Sequence, residues 1–343
     1  MRKILYLLFI GTLSISCTNQ DVEFDDFKYQ SVYFPFQTPL RTIMLGDEVI
    51  GDNSIDLEHA FSIGASTGGV YKNSKNIEIS VEFAPELASD ITDGNGNELE
   101  ILPSNYYDAT FNKIIIPAGS FFGQLRVNLN DGFFQDPLST GLHYVIPLRM
   151  TEAVNVDSIL SGDPIIPYPD PRVSDHWATT PKNFVLFGVK YINETHGVYL
   201  LRGKRTNTAN PDDVIHYSER FIDDNDMTML RTRSLSTSIM TTIGGTNKEE
   251  ADSKYALLLS FNKDNKKVIV SQKDPSSIDV EGEGIYFTKD DPESEAYNGK
   301  KHRTIYLDYT YEDGDITYNV KDSLVFIDTD IKFEDFQVKV VNQ

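Results

Sequence analysis

The sequence predicts an all-β protein in which an N-terminal β-sandwich is followed by an antiparallel β-barrel. Three observations predict this class. Short apolar segments recur between turn-forming residues along almost the whole chain, several of them alternate apolar and polar residues, and no long amphipathic helix interrupts them. A length of 343 residues suits about two domains, and 40% hydrophobic residues are enough for two ordinary cores.

A short N-terminal segment indicates export. Arg2 and Lys3 precede an apolar stretch at residues 4–12, after which small residues lead to Cys17. This order is typical of a signal peptide, predicted over residues 1–16, and the stretch is too short to span a bilayer. A buried N-terminal strand is the alternative interpretation. We expect cleavage before Cys17, whose sulfur would then carry a lipid that holds the protein on a membrane.

The charge balance excludes one class of partner. The chain has 52 acidic and 31 basic residues and a formal net charge of −21 at pH 7. Because neither a basic patch nor a basic helix is evident, we expect no nucleic-acid partner. The predicted lipidated tether, residues 17–27, is acidic as well. Since Cys17 is the only cysteine, no intramolecular disulfide can form, and stability must come from the cores.

The first domain is predicted over residues 28–153. Turn signals such as Gly68-Gly69 separate its strands, and residues 77–83 alternate apolar and polar side chains. Strands of this number and spacing predict an immunoglobulin-like sandwich. A short helical turn is expected near residues 85–89. The predicted strands cover residues 31–36, 42–45, 60–66, 77–83, 113–116, 123–128 and 143–150.

Residues 154–182 are predicted to connect the two domains. Five prolines lie between residues 164 and 181, and proline fixes φ and lacks an N–H donor for a β-ladder. The composition therefore favours an extended, stiff connector.

The second domain is predicted over residues 183–343. Its sequential antiparallel strands would close most naturally as an up-and-down barrel of lipocalin type, because closure removes exposed strand edges. A second sandwich is the alternative. The predicted strands cover residues 183–192, 197–203, 214–221, 227–232, 238–243, 255–262, 267–272, 284–288, 303–311, 316–320 and 323–327.

Eight segments carry a resemblance to a known family. They are residues 113–119, 130–138, 144–150, 161–164, 181–193, 196–203, 322–326 and 331–336. Together they resemble two-domain surface lipoproteins of Bacteroidetes, which combine an immunoglobulin-like domain of unknown function with a lipocalin-like domain. The resemblance spans about residues 28–340.

The resemblance implies a cellular location rather than a catalysed reaction. Such proteins are similar to accessory lipoproteins encoded beside starch-utilisation-type outer-membrane transporters and family 18 glycoside hydrolases. This implies an outer-membrane lipid anchor at Cys17 that faces the cell exterior, and capture of a glycan for a transporter complex. The family has no agreed catalytic residues that could be carried over.

Motifs of known enzymes are not found in the sequence. It lacks HExxH, GxSxG, a P-loop, a dinucleotide fingerprint and the DxxDxDxE string of family 18 hydrolases. The six histidines show no metal-ligand spacing. The oxygen-rich runs at residues 93–97 and 223–226 lack the closing glutamate of a calcium loop and are interpreted as turns. We therefore expect no catalytic residue, no metal and no cofactor.

Aromatic residues supply the candidates for ligand contact, because sugar rings stack on flat aromatic faces. Trp177 and Tyr168 accompany the connector, where a cleft between domains is expected. Tyr297 lies in a polar loop, and Tyr199 and Arg202 lie on a predicted barrel strand. Each has a structural alternative: Trp177 could fill the seam between the domains, and Tyr199 could belong to the barrel core.

Three classes of function remain open. The first is a non-catalytic, cell-surface lipoprotein that binds a glycan or assists its uptake. The second is a glycoside hydrolase or esterase whose site forms only in three dimensions. The third is a structural or adhesion subunit without affinity for sugars.

Overall fold

A computed structural model describes residues 25–49, 51–247 and 254–341. The chain forms a β-sandwich and a closed antiparallel barrel of eight strands. The prediction of an all-β protein with a sandwich followed by a barrel is confirmed. None of the helices within the described ranges has the length and hydropathy that a membrane span requires.

Fourteen strands precede the barrel within the described residues. They are β1 (Ser31–Tyr33), β2 (Pro39–Met44), β3 (Ala60–Gly68), β4 (Ile77–Phe83), β5 (Ile91–Asp93), β6 (Glu100–Ile101), β7 (Tyr107–Asp108), β8 (Lys113–Ile116), β9 (Phe122–Leu129), β10 (Tyr144–Val154), β11 (Ser158–Ile159), β12 (Asp163–Pro164), β13 (Trp177–Thr179) and β14 (Phe184–Ile192). Short helices are α1 (Ser54–Leu57) and α2 (Asp131–Gln135), with 3-10 turns at Pro85–Ala88, Ser104–Tyr106, Pro137–Thr140, Ser174–His176 and Ile222–Asp224.

The later strands build the barrel and a tail. The barrel region contains β15 (Gly197–Asn207), β16 (Asn210–Tyr217), β17 (Asp226–Ser234), β18 (Thr237–Met240), β19 (Thr242–Ile243), β20 (Thr246–Asn247), β21 (Leu257–Asn262), β22 (Lys267–Gln272), β23 (Val280–Phe287), β24 (Ala296–Tyr297), β25 (Lys300–Lys301), β26 (Thr304–Asp313) and β27 (Ile316–Asp328). The tail contains β28 (Glu334–Asp335) and β29 (Val338–Val340).

The sandwich consists of two facing sheets. One has the strand order β11-β1-β3-β9-β7, and the other has the order β28-β2-β14-β10-β4-β8, with β6 beside β10. Strand β9 alternates exposed and buried residues along its whole length, as expected for a strand with one face on the core. The core between the sheets includes the stacked rings of Phe61 and Phe187, with centroids 5.3 Å apart.

The position of β14 differs from the domain boundaries that the sequence suggested. The sequence predicts that residues 183–343 form the barrel domain, but β14 lies in the sandwich, antiparallel to β10 and parallel to β2. Almost every residue of β14 is buried, because one face packs in the main core and the other is covered by a smaller cluster that includes Phe336. A continuous apolar run of this kind is typical of a central strand, whichever domain it serves.

The tail returns to the sandwich as well. Strand β28 pairs with β2, and β29 pairs with β5. The barrel therefore begins at Gly197 and ends at Asp328, and the chain passes from sandwich to barrel and back.

The barrel closes through β15 and β27. Their register runs from Val198 opposite Asp328 to Asn207 opposite Tyr318. On its other edge, β15 pairs with β17 at its start and with β16 at its end. The interior is filled by a cluster of buried aliphatic and tyrosine side chains, so the barrel is a packed core.

The residues 154–182 fold into more than an extended connector. Strand β11 joins the sandwich, and β12 and β13 form a small antiparallel pair. Arg172 donates hydrogen bonds to the carbonyl oxygens of Leu87 (3.2 Å) and Ser89 (2.7 Å), which fixes this segment against the sandwich.

Candidate functional site

A cavity of about 440 Å³ lies where the connector crosses the sandwich, and we call it the connector cleft. Four parts of the chain form it: the turn before β2, residues 171–181 of the connector, the start of β14, and the tail around β28. The lining residues are Gln37, Thr38, Pro171, Arg172, Ser174, Thr180, Pro181, Phe184, Leu186, Asp335, Phe336, Gln337, Val338 and Lys339.

The pairing of β2 with the tail builds one wall of the cleft. Pro39 is the register partner of Asp335. Thr38 donates its hydroxyl to the Asp335 carboxylate at 2.8 Å, and its carbonyl oxygen accepts the backbone N–H of Phe336 at 2.9 Å. Segments almost 300 residues apart in the sequence therefore lie side by side. The paired strands β2 and β28 form a ridge, which also carries Gln37 and Gln337.

Arg172 holds the opposite wall. Its Nη2 donates to the Asp170 carboxylate at 2.6 Å, and its Nε donates to the same group at 2.9 Å. Burial alone would raise the pKa of Asp170, but the hydrogen bonds and charge of Arg172 outweigh burial and hold that pKa below its usual range. The Arg172 side chain is thus a structural clamp, and its polar groups are already engaged.

The floor and the rim of the cleft differ in chemistry. Phe184, Leu186 and Phe336 are buried and form an apolar floor. The rim carries amide, hydroxyl, carboxylate and ammonium groups from Gln37, Ser174, Thr180, Asp335, Gln337 and Lys339. An apolar surface with a few polar groups converging on it is the usual form of a small-molecule site. This arrangement suits a ligand that has an apolar face and several hydroxyl groups.

An apolar groove lies on the other side of the same ridge. It has a volume of about 220 Å³ and is lined by Phe36, Phe122 and Phe333, among others. The rings of Phe36 and Phe333 lie 4.6 Å apart, and these side chains are 48% and 64% exposed. Half-exposed aromatic rings in a concave surface mark a contact site more often than isolated exposed residues do.

The connector residues that the sequence singled out lie near the cleft but do not line it. Trp177 donates its indole N–H to the Asp170 carbonyl oxygen at 2.8 Å and packs closely on Gly162. Tyr168 is 98% exposed, with a left-handed φ of 57°. In this structure Trp177 stabilises the connector, and Tyr168 projects from its outer turn.

The candidates in the barrel lie in three separate places. Tyr199 is fully buried and donates its hydroxyl to the Thr195 carbonyl oxygen at 2.7 Å, so it belongs to the core. Tyr297 is half-buried, with its ring 4.3 Å from that of His302. Arg202 forms an ion pair with Glu295 on the outer wall. The five candidates therefore do not form one site.

Metal binding finds no support among the residues that the structure describes, where no group of three or more His, Cys, Asp or Glu side chains could hold an ion. In the turn at residues 93–97, the Asp93 carboxylate accepts the backbone N–H groups of Asn95 and Asn97 at 2.9 and 2.8 Å. This is the hydrogen bonding of an Asx turn. Cys17 lies outside the described residues.

Sequence reasoning missed the residues that line the connector cleft. Gln37 and Gln337 carry no motif, and the tail was assigned to the barrel. The one signal that pointed to the place was the proline-rich segment itself, because a junction of this kind often borders a cleft.

Comparison with known families gives two matches in sequence. A family model described as an N-terminal domain matches residues 27–157. The model of a domain of unknown function (DUF5627) matches residues 194–330. A search of curated proteins found no match.

Comparison with solved structures gives several similar chains. A protein of unknown function from Bacteroides ovatus is 32% identical, with 92% of this chain and 100% of that chain covered and a TM-score of 0.81. A second protein of unknown function from Bacteroides ovatus is 18% identical, with 91% and 100% covered and a TM-score of 0.45. An auxiliary nutrient binding protein from Bacteroides thetaiotaomicron is 14% identical, with 85% and 92% covered and a TM-score of 0.39. The last two similarities are too weak to bear on function.

Proposed function

We propose that this chain, which belongs to the family of the Bacteroides ovatus protein with 32% identity, is a non-catalytic protein that binds a glycan in the connector cleft. The observation that carries the proposal is the contrast between the apolar floor of Phe184, Leu186 and Phe336 and the polar rim around it. A sugar ring has the matching pair of surfaces, since its C–H groups pack on apolar side chains and its hydroxyls bond to amides and carboxylates.

The groove beyond the ridge extends the proposed site. Phe36 and Phe333 present half-exposed rings there, next to the ridge that carries Gln37 and Asp335. A glycan of several residues could contact both the cleft and the groove across this ridge. We therefore propose an oligosaccharide rather than a single sugar as the ligand.

The absence of catalysis is also part of the proposal. Glycoside hydrolysis normally uses two carboxyl groups, one of them with a raised pKa. Among the cleft-lining residues of the described chain, Asp335 is the only one with a carboxyl group, and the nearby Asp170 has a lowered pKa because Arg172 binds it. An esterase nucleophile needs a base within hydrogen-bond reach, whereas His176 uses its Nδ1 to accept the Asp170 backbone N–H at 2.9 Å.

We further propose that Cys17 carries a lipid anchor in the outer membrane and that the protein presents its glycan to a transporter at the cell exterior. The support is the order of charge, apolar stretch and small residues before Cys17. The test is fractionation of cells that express Cys17→Ser. We expect the variant to leave the membrane fraction, and its retention there would contradict the anchor.

Binding is tested with the purified protein on a glycan array, followed by calorimetry on the oligosaccharides that bind. Replacing Gln337 with Ala removes an exposed rim amide and should weaken binding about tenfold, the effect of one lost hydrogen bond to a ligand. Gln124→Ala is the matched control, because Gln124 is an exposed amide on β9, away from the cleft.

Two results would contradict the proposal. One is the absence of binding to any neutral host or plant glycan. The other is turnover of a chromogenic glycoside or ester, provided that replacing an acidic residue in the cleft abolishes this turnover. That result would make the protein an enzyme.

A further inference from the structure

A row of basic side chains, two lysines and a histidine, crosses three neighbouring strands on the outer wall of the barrel. Lys204 of β15 is the register partner of Lys321 on β27 and of His216 on β16. All three residues are exposed. Like charges placed directly opposite one another destabilise a sheet. The row therefore carries a cost that the fold itself does not require.

Nearby acidic groups compensate only part of this charge. Asp308 follows in the same row on β26 and forms an ion pair with Lys321 at 2.8 Å. The side chain of Lys204 has no ion-pair or hydrogen-bond partner within residues 25–49, 51–247 and 254–341. Such an excess of cations is unusual in a chain whose formal net charge is −21.

The adjacent row of cross-strand residues already binds a carboxylate, that of Glu295. Glu295 accepts the hydroxyl of Ser323 at 2.7 Å and that of Tyr306 at 3.0 Å, and it forms an ion pair with Arg202. Donors on three strands thus converge on the Glu295 carboxylate, and this side chain is only 15% exposed. This part of the wall has the donor geometry that an anionic group requires.

A cavity of about 350 Å³ lies over both rows. Arg202, Lys204, His216 and Lys321 line it together with hydroxyl groups. Among the described residues that line it, the only acidic one is Asp322. The Asp322 carboxylate accepts hydrogen bonds from tyrosines of the barrel interior, so it does not neutralise the cations at the surface.

We propose that this barrel cavity binds the oxyanion of an acidic sugar, either a carboxylate or a sulfate, with Lys204, Lys321 and His216 as its ligands. The two cross-strand lysines supply the charge, and Ser218, which also lines the cavity, supplies a hydroxyl for a hydrogen bond to the sugar. The site lies on the barrel, apart from the connector cleft, and the proposal does not rest on the function proposed for that cleft.

The test is calorimetry of the whole purified protein with three tetrasaccharides: tetragalacturonate, a carrageenan tetrasaccharide that carries sulfate but no carboxylate, and neutral maltotetraose. We expect binding of one or both acidic probes that weakens as salt rises, and the pair of results separates carboxylate from sulfate. Lys204→Gln and Lys321→Gln should each weaken binding about tenfold, the loss of one charge-assisted contact. Lys267→Gln is the matched control, because Lys267 is an exposed barrel lysine outside the cavity.

A thermal melt separates this role from a structural one. The Lys204→Gln variant should unfold at the same or a higher temperature than the natural protein, because one like-charge contact is removed. The proposal is overturned if neither acidic probe binds, or if both lysine variants bind as the natural protein does. Gln337→Ala in the connector cleft should leave binding of the acidic probes unchanged, so the two proposals can fail separately.

Discussion

The carboxylate of Glu48 in the sandwich accepts the backbone N–H of Arg303 in the barrel at 2.8 Å. The same carboxylate lies 3.2 Å from Nδ1 of His302, and Arg303 is buried with its guanidinium 3.9 Å above the ring of Phe326. One side chain of the first domain thus accepts a backbone hydrogen bond from the second domain at the residue that directly precedes β26.

Loss of the Glu48 carboxylate should weaken the junction between the two domains. Glu48→Ala leaves the Arg303 N–H without its partner, which costs about 1–3 kcal/mol when the group stays buried. Urea denaturation measures the change in the free energy of unfolding. The control is Glu86→Ala, which removes an exposed ion pair with Arg149 and should cost less than about 1 kcal/mol. Equal effects of the two substitutions would contradict this account of the junction.

The buried carboxylate of Asp322 should give the barrel an unusual pH dependence. It accepts the hydroxyl of Tyr309 at 2.9 Å and that of Tyr217, and burial raises its pKa to about 6. A raised pKa means that the folded state holds the proton more tightly, so this stabilisation is present below pH 3.8 and is lost as the pH rises through about 6.

The measurement compares the natural protein with Asp322→Asn between pH 4 and pH 7. Each pKa unit is worth about 1.4 kcal/mol, and pH 4 already lies just above the ordinary pKa of 3.8, so the natural protein should lose about 2 kcal/mol relative to the variant over this range. Asp308→Asn is the control, since Asp308 is an exposed carboxylate on the neighbouring strand. A constant difference between the natural protein and Asp322→Asn across the range would refute the prediction.

Gly282 on β23 allows Tyr309 to approach the barrel interior. A Cβ at this position would lie 2.4 Å from the Asp308 carbonyl oxygen and 2.4 Å from the Tyr309 Cβ. Backbone on the neighbouring strand cannot move aside cheaply, so Gly282→Ala should destabilise the protein by about 1–3 kcal/mol. A Cβ at Gly141 would meet nothing within 4 Å, and Gly141→Ala should change stability by less than about 0.5 kcal/mol. Thermal melts of the two variants check both values.

The strands could be predicted from local patterns, but their sheet partners could not. Strand β9 shows the period-two alternation of a half-buried strand, and the structure confirms it. The sequence of β14 indicates only a buried strand. It does not indicate that β2 and β10 are the neighbours of β14 in the sheet. Its position after a proline-rich segment suggested the wrong sheet, because chain order and spatial order diverge where the tail returns.

The sites depend on contacts between distant segments, which one sequence does not reveal. Arg202 was a candidate from its strand pattern, but its partner Glu295 lies 93 residues away along the chain. Gln37 and Gln337 meet only because β2 pairs with β28. The aromatic residues that looked most suitable for ligands, Tyr199 and Trp177, are engaged in hydrogen bonds of the fold.

Arg172 should control the rigidity of the connector, and Trp177 reports on it as the single tryptophan of the chain. The Arg172 guanidinium binds the Asp170 carboxylate through two nitrogens and also donates to two sandwich carbonyls. A lysine ammonium cannot reproduce this planar set of donors. Arg172→Lys should therefore let the connector open and expose the indole of Trp177, which increases quenching of its fluorescence by acrylamide.

The matched control for this prediction is Arg126→Lys, because Arg126 forms an exposed ion pair with Glu58 on the surface of the sandwich. We expect quenching of Trp177 in this control to equal that in the natural protein. Hydrogen exchange over residues 163–179 should be faster in Arg172→Lys and unchanged in the control, because the segment is held through Arg172. If quenching and exchange in Arg172→Lys match the natural protein, the clamp does not hold the connector, and the wall of the cleft depends instead on the hydrogen bond from Trp177 to Asp170.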